Sequence, residues 1–295
     1  MASETRGRVY SPSRPAHAVP AWDDRPMSEQ HADHGRQDTD VEEPIEKAHH
    51  EAAQEGEERL HRSWPVLLAT GFLGGVEITI GLLAYLLTLH ETDSHLLAGL
   101  AFSIGFVALF LAHSELFTEG FYYPIKAVTT GRGTMLELVR LWSMTLLTNL
   151  VGGWVTIGLV TVAFPKLHET MATSARHFLD IGFSWQGAAL AVLAGTAITL
   201  MTRMQAGTDS DGATIAASVA GAVVLAGGSL FHSVMDSILI FGAIQSGAEG
   251  ITYLDWLGWV WWVIPLNMLG GLLLITAPRV VRSIEADDDG GDEPR

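Results

Sequence analysis

The chain contains no cysteine, which excludes disulfides, thiolate metal sites and a thiol nucleophile. No stretch is basic enough to hold a nucleic acid: 17 lysines and arginines face 33 acids, for a net charge of −16. The N-terminus lacks a short apolar region followed by a small-residue cleavage site, so no cleaved signal peptide is expected. Catalytic signatures are missing as well. There is no activated-serine elbow, no helical His-Glu-x-x-His zinc motif, no phosphate-cradling glycine loop and no pair of carboxylates on one loop. Neither an enzyme, a metal site nor a cofactor is expected.

What the chain does have is long apolar runs, and its mean hydropathy is positive at +0.27 despite the excess of acids. The two facts are reconciled by position, because the acids concentrate at the ends. Residues 1–62 mix Pro, Ser, His and acids with few large aliphatics, and 284–295 form a second acidic segment. Such segments bury too little apolar surface to offset the entropy of ordering them. They are expected to be disordered tails on a membrane domain spanning 63–283, with helix-forming composition only from about Pro44 to Arg62.

About 20 apolar residues are needed to cross the hydrocarbon core as a helix. Six windows qualify: Trp64 to Leu89, Leu96 to about Val128, Met135 to Phe164, Gln186 to Met204, Ala213 to Ile244, and Leu254 to Ala277. An even number puts both termini on one side. Arg59, Arg62, Lys126, Arg132, Arg203, Arg279 and Arg282 fall on that side, with only Lys166 and Arg176 opposite. The positive-inside rule then predicts cytoplasmic termini and a multi-pass protein of the plasma or inner membrane. Trp256, Trp259, Trp261 and Trp262 suit an interfacial belt in contact with lipid, or a contact with a neighbouring subunit.

The second and fifth windows are interrupted at hydrocarbon depth. One carries His113, Ser114, Glu115, Thr118, Glu119 and Gly120 before Pro124; the other carries Gly227, Gly228 and Ser229, expected to open the helix, ahead of His232 and Asp236. Unwound backbone inside a membrane needs partners, so it is tolerated only where it is buried in protein or lines a cavity. The interruptions share a Leu-Phe pair, aligning Ser114-Glu115-Leu116-Phe117-Thr118 with Gly228-Ser229-Leu230-Phe231-His232. Each falls in the middle of a three-span half. The expected fold is thus all-α: six transmembrane helices as two inverted three-helix repeats, the second and fifth helices broken around a transport site. Stretches such as "GFLGG", "NLVGGW" and "NMLGG" read as close-packing sites between helices.

The stretches "SELFTEG" and "LFHSVMDS" resemble the "ELFTGN" and "GFEHSVAN" stretches of the formate/nitrite transporter family, in the right spans and order. The resemblance extends over roughly Trp64 to Arg282. It implies a homopentamer of aquaporin-like protomers, each with its own path for a small anion. In that path Thr118 would face His232 between two apolar constrictions, Leu116 and Phe117 on the cytoplasmic side, and Phe102 and Leu225 by spacing on the outer side. The chain also departs from the pattern. Phe231 stands in the pathway where an acid usually precedes the histidine, Asp236 replaces an asparagine, and Glu119-Gly120 replaces Gly-Asn. Gly195 stands where many members have an asparagine, and Arg176 is the cation nearest to the fourth span.

An unpaired anion crosses an apolar constriction at a cost of several kcal/mol, whereas a weak acid that gains a proton on the way crosses neutral. Histidine suits such an exchange, and an ionisable residue beside a helix break at membrane depth is a functional candidate by default. The expected function is a channel or transporter for formate- or nitrite-like anions, with His232 and Thr118 hydrogen-bonding the permeant. Asp236 is expected to orient the imidazole, meet a neighbouring subunit or touch the substrate, Glu115 to cap the helix after the break, and Glu119 to face the cytoplasmic vestibule. Glu77, Glu115, Glu119 and Asp236 keep open the alternative of a neutral solute or a cation. A scaffold working through its tails is the third class, and it has no use for two broken helices.

Overall fold

The computed structural model describes residues 51–280. Residues 1–50 of the tail expected at 1–62, and the whole of the tail expected at 284–295, lie outside the described residues. Among those described, all regular structure is helical: α1 at 51–60, α2 Trp64–Thr92, α3 His95–Leu111, a 3₁₀ turn Phe117–Phe121, α4 Tyr123–Thr129, α5 Met135–Ala163, α6 His168–Ile181, α7 Trp185–Gln205, α8 Asp211–Ala222 running into a π turn Val223–Gly227, α9 Met235–Gln245, and α10 Tyr253–Leu269 running into a second π turn Gly270–Thr276.

Local chemistry sets the helix starts. Thr134 with Glu137 and Thr252 with Asp255 form reciprocal capping boxes, and Ser94, Ser184 and Ser210 each accept a backbone N–H from the first turn they precede. These caps lie within three residues of the starts expected from hydropathy. Among the described residues, four helices are long and apolar enough to cross a membrane, Trp64–Thr92, Met135–Ala163, Trp185–Gln205 and Tyr253–Val280. The second and fifth windows are broken, as expected, into α3 with α4 and α8 with α9.

The distribution of polarity is that of a protein solvated by lipid. Leu136, Val162, Leu254 and Trp185 are exposed by 78% or more, while Glu115, Thr118, Asn149, His232, Asp236 and Asn267 are buried. Two helices have no counterpart among the six windows. Helix α6 is amphipathic and buries Met171, Ala172, Ala175 and Phe178. Helix α1 buries Ala52, Ala53 and Leu60, the last packed with Leu67, Ala127, Leu138 and Leu141. The folded domain therefore already includes residues 51–62, which the composition had assigned to a tail; three apolar residues on one face suffice to dock a helix whose other side is charged.

The tryptophan belt is also corrected. Trp261 points outward, but Trp259 and Trp262 are buried against Phe231, with ring centroids 6.1 Å away in both cases. Trp256 donates its indole N–H to Ser237 Oγ at 2.8 Å.

Candidate functional site

Both breaks begin with the same backbone manoeuvre. His113 and Ser229 adopt left-handed conformations, φ 54° and 50°. The N–H groups of Ser114 and Leu230 reach back to the carbonyls of Leu109 and Leu225 at 3.1 and 3.0 Å, as in a helix-terminating Schellman turn. Gly227 and Gly228 do not make this turn. Gly228 has φ −84°, and Gly227 is where α3 passes so closely that a Cβ on Gly99 would collide with the Gly227 backbone.

The freed backbone groups are then taken up by two asparagines. Asn149 of α5 accepts the Phe117 N–H at 2.9 Å and donates to the carbonyls of Glu115 (2.8 Å) and Gly71 (2.7 Å). Asn267 of α10 accepts the Ser233 N–H and donates to the carbonyls of Phe231 and Ala191, each at 2.8 Å. Residue 113 thus corresponds to 229, 115 to 231 and 117 to 233. The alignment on the shared Leu-Phe pair is corrected by two residues: His232 occupies the place of Leu116, not that of Thr118. Sequence reading treated Asn149 and Asn267 as parts of packing runs, although one signal marked them. Asn149-Leu-Val-Gly-Gly153 and Asn267-Met-Leu-Gly-Gly271 are the same five-residue pattern in two helices.

Between the breaks, Thr118 Oγ1 and His232 Nε2 lie 2.9 Å apart, both fully buried. Nδ1 of the same ring accepts the Met235 N–H at 3.1 Å. A donor aimed at Nδ1 makes that nitrogen the acceptor, so the ring proton sits on Nε2 and is donated to Thr118. The Thr118 hydroxyl hydrogen is left free for another partner. Asp236 does not orient the imidazole. Its Oδ2 accepts the His232 backbone N–H at 2.8 Å, and its Oδ1 has no hydrogen-bond partner. The carboxylate thus completes the start of α9, a position where negative charge is favourable.

The other pathway candidates are all buried. Leu116 and Phe117 flank the first clamp, and Phe117 packs edge-on to Phe121 at 5.2 Å. Phe102 lies on α3 and Leu225 in the π turn that packs on α3. Phe231 uses its carbonyl for the Asn267 clamp, while its ring joins an aromatic group with Phe178, Trp259 and Trp262.

At the end of the bundle beneath α1, the acids separate into different roles. Glu115 is no helix cap. It is buried and ion-paired with Arg62 and, at 3.4 Å, with Arg59. It therefore ties α1 and the start of α2 to the first break. Burial disfavours the charge on Arg59, but Glu115 and Glu55 outweigh this and raise its pKa. Burial likewise pushes Glu55 up, and its bond to Arg59 (2.7 Å) more than reverses the effect, leaving it below the ordinary carboxylate value. The contribution of Glu55 is thus complete above the ordinary value and is lost as pH falls through the lowered one. Glu119 faces a cavity of about 310 Å³ whose walls include Arg59, Glu55, His113 and Tyr123. Glu77 accepts from Ser114 Oγ at 2.8 Å through one oxygen and leaves the other unpaired. No group of three or more acidic or histidine side chains able to hold a metal occurs among the described residues.

A first prediction follows for α1. Glu115→Gln removes the charge that two guanidiniums share, and amide exchange across residues 51–60 should accelerate by roughly tenfold, equivalent to ~1.4 kcal/mol for a partly solvated network. Exchange rates unchanged from the parent would show that apolar packing alone holds α1.

The family model described as "Formate/nitrite transporter" matches residues 46–281. The inner membrane protein YfdC of Escherichia coli (strain K12) is 26% identical over 243 residues, covering 77% of this chain and 74% of the relative. The formate channel BtFdhC of Bacillus thuringiensis is 26% identical over 152 residues, 44% of this chain and 58% of the relative. Among solved structures, a pentameric formate channel with formate bound superposes with a TM-score of 0.61 at 20% identity, covering 71% of this chain and 93% of that one. An FNT family ion channel gives 0.64 at 17% identity, with 80% and 97% covered.

Proposed function

Because the chain belongs to the formate/nitrite transporter family, we propose that it conducts small monovalent weak-acid anions through a path within each protomer, with Thr118 and His232 as the meeting point. The observation that carries this reading is the 2.9 Å bond between Thr118 and His232, two buried side chains brought together from separate helix breaks. The Thr118 hydroxyl hydrogen is a free donor suited to an anion that has lost its water, and the His232 Nε2–H, donated to the Thr118 oxygen, strengthens it or turns to the anion itself. Fixed donors in a dry site stabilise such an anion. Stripped of water, the anion becomes more basic, and a proton lets it leave as the neutral acid.

The matching Asn149 and Asn267 clamps support six spans arranged as two inverted halves. The likeness to a pentameric formate channel favours a homopentamer, and the bias of Lys and Arg favours cytoplasmic termini. Leu116 and Phe117 would narrow the cytoplasmic side of the path, and Phe102 and Leu225 the outer side. The pairing of Glu115 with Arg59 and Arg62 removes one acid from those that favour a cation. Glu77, Glu119 and Asp236 remain, and they keep a neutral solute or cation as the competing outcome.

The test is flux through proteoliposomes holding the full chain, with formate, nitrite, acetate, urea and a small cation compared from about pH 5 to about pH 8, the range in which imidazoles and these solutes respond. Weak-acid flux should rise as pH falls, and His232→Ala should reduce it on the order of a hundredfold. Flux of urea or the cation with no weak-acid flux would overturn the reading in favour of the other solute class.

A further inference from the structure

Asp236 is a buried acid that the transport path leaves without a role. It is fully enclosed, and among the described residues it makes no ion pair and its Oδ1 has neither a donor nor a counter-charge. An orphaned carboxylate oxygen in a dry interior is costly. It is satisfied by a water or by a proton that the group itself carries. A second fact bears on the same place. The Nδ1 of His232 is occupied by the Met235 N–H, so the imidazole is not free to pick up the proton that a permeant anion needs.

A chain of polar groups leads from Asp236 to the surface. Tyr85 of α2 is buried, lies against Ser229 and is within electrostatic reach of Asp236. Its hydroxyl is 3.0 Å from Nδ1 of His95, the first residue of α3, which is exposed at the end of the bundle where α2 finishes. The titratable and charged groups facing this chain are His177 and Asp180 of α6 and His232 of the second break. Burial and the nearby His95 hold His177 below its ordinary value; His95 is the exposed imidazole that is bonded to Tyr85.

We propose that His95, Tyr85 and Asp236 form a proton relay, in which Asp236 is the proton donor to the permeant anion held at Thr118 and His232. The inference rests on the weak-acid reading above. The transfer balances as follows: His95 takes a proton from bulk water at Nε2 and gives its Nδ1 proton to the Tyr85 oxygen. Tyr85 passes its own hydroxyl proton inward, by way of Ser229 or a water, to Asp236. Asp236 gives a proton to the anion, which leaves as the neutral acid, and the His95 ring regains its first tautomer by exchange with solvent. Each relay group ends as it began. One proton has moved from water to the permeant. Asp236 acts here where the family pattern has an asparagine, a residue that has no proton to give.

The relay is tested on the full chain in proteoliposomes loaded with a pH-sensitive dye, using a formate gradient and varying pH on the His95 side. Tyr85→Phe removes only the hydroxyl, and Asp236→Asn keeps an acceptor for the His232 N–H. Each should lower proton-linked formate flux at acid pH tenfold or more, a modest share of what positioned proton transfer supplies. Each should also flatten the pH profile and abolish the slowing seen in heavy water. A purely structural role for either residue would leave the profile's shape and the isotope effect intact. A parental pH profile in either variant overturns the relay while leaving the weak-acid path standing. No weak-acid flux in the unsubstituted protein overturns both. Should Asp236→Asn fail to assemble, Tyr85→Phe alone decides.

Discussion

Asn267→Leu is expected to prevent assembly of a stable oligomer, and Asn149→Leu to do the same. Leucine is close to asparagine in size and common in membrane helices, so hydropathy alone predicts no harm. The loss comes from the backbone. In the second break, the Ser233 N–H and the Phe231 carbonyl have no helical partner and depend on Asn267, as Phe117 and Glu115 depend on Asn149. Each orphaned buried group costs about 1–3 kcal/mol, so either substitution forfeits several kcal/mol from stabilities that rarely exceed about 15. Lipid offers no water to substitute. The measurement is the yield of monodisperse oligomer in mild detergent and its melting temperature. A leucine variant that assembles and melts like the parent would show that the breaks are held by packing.

The second large effect is expected at the helix crossings beside the clamps. A Cβ on Gly75 would run into the Asn149 carbonyl, and one on Gly195 into the backbone of Asn267. Backbone cannot give way as a flexible side chain can. Gly195→Val should therefore push α7 from α10, displace the Asn267 clamp and destabilise by about 3 kcal/mol or more, at the upper end for overpacking. Gly258 supplies the control. It lies in the same helix as Asn267 with nothing within 4 Å of a built Cβ, so Gly258→Ala should be neutral or stabilise by up to ~1 kcal/mol. Equal melting temperatures for Gly195→Val and Gly258→Ala would refute the close approach.

The shared Leu-Phe pair shows how a correct conclusion can rest on a misplaced register. The polar residues and glycines located both breaks in the right windows, yet the pair aligned them two residues away from the correspondence that the bonds define. Side-chain identity was the wrong guide. What repeats is the position at which a helix ends in a left-handed residue and an asparagine from another helix takes over the released N–H and C=O. Acids were misjudged for a related reason. Glu115 reads as a helix cap from its neighbours in sequence, but its partners Arg59 and Arg62 are more than fifty residues away.

The sequence by itself determined the apolar windows, their caps, the two interruptions and the pairing of Thr118 with His232 by resemblance. These are local properties, set by hydropathy over one helix length, by the chemistry of a first turn, or by a short motif. Only the tertiary structure decided that α1 belongs to the folded domain, that Met235 rather than Asp236 occupies the His232 ring, and that two asparagines hold the breaks. Each depends on which buried donor meets which acceptor. In an interior without water that choice is made by helices far apart in the chain, after they pack.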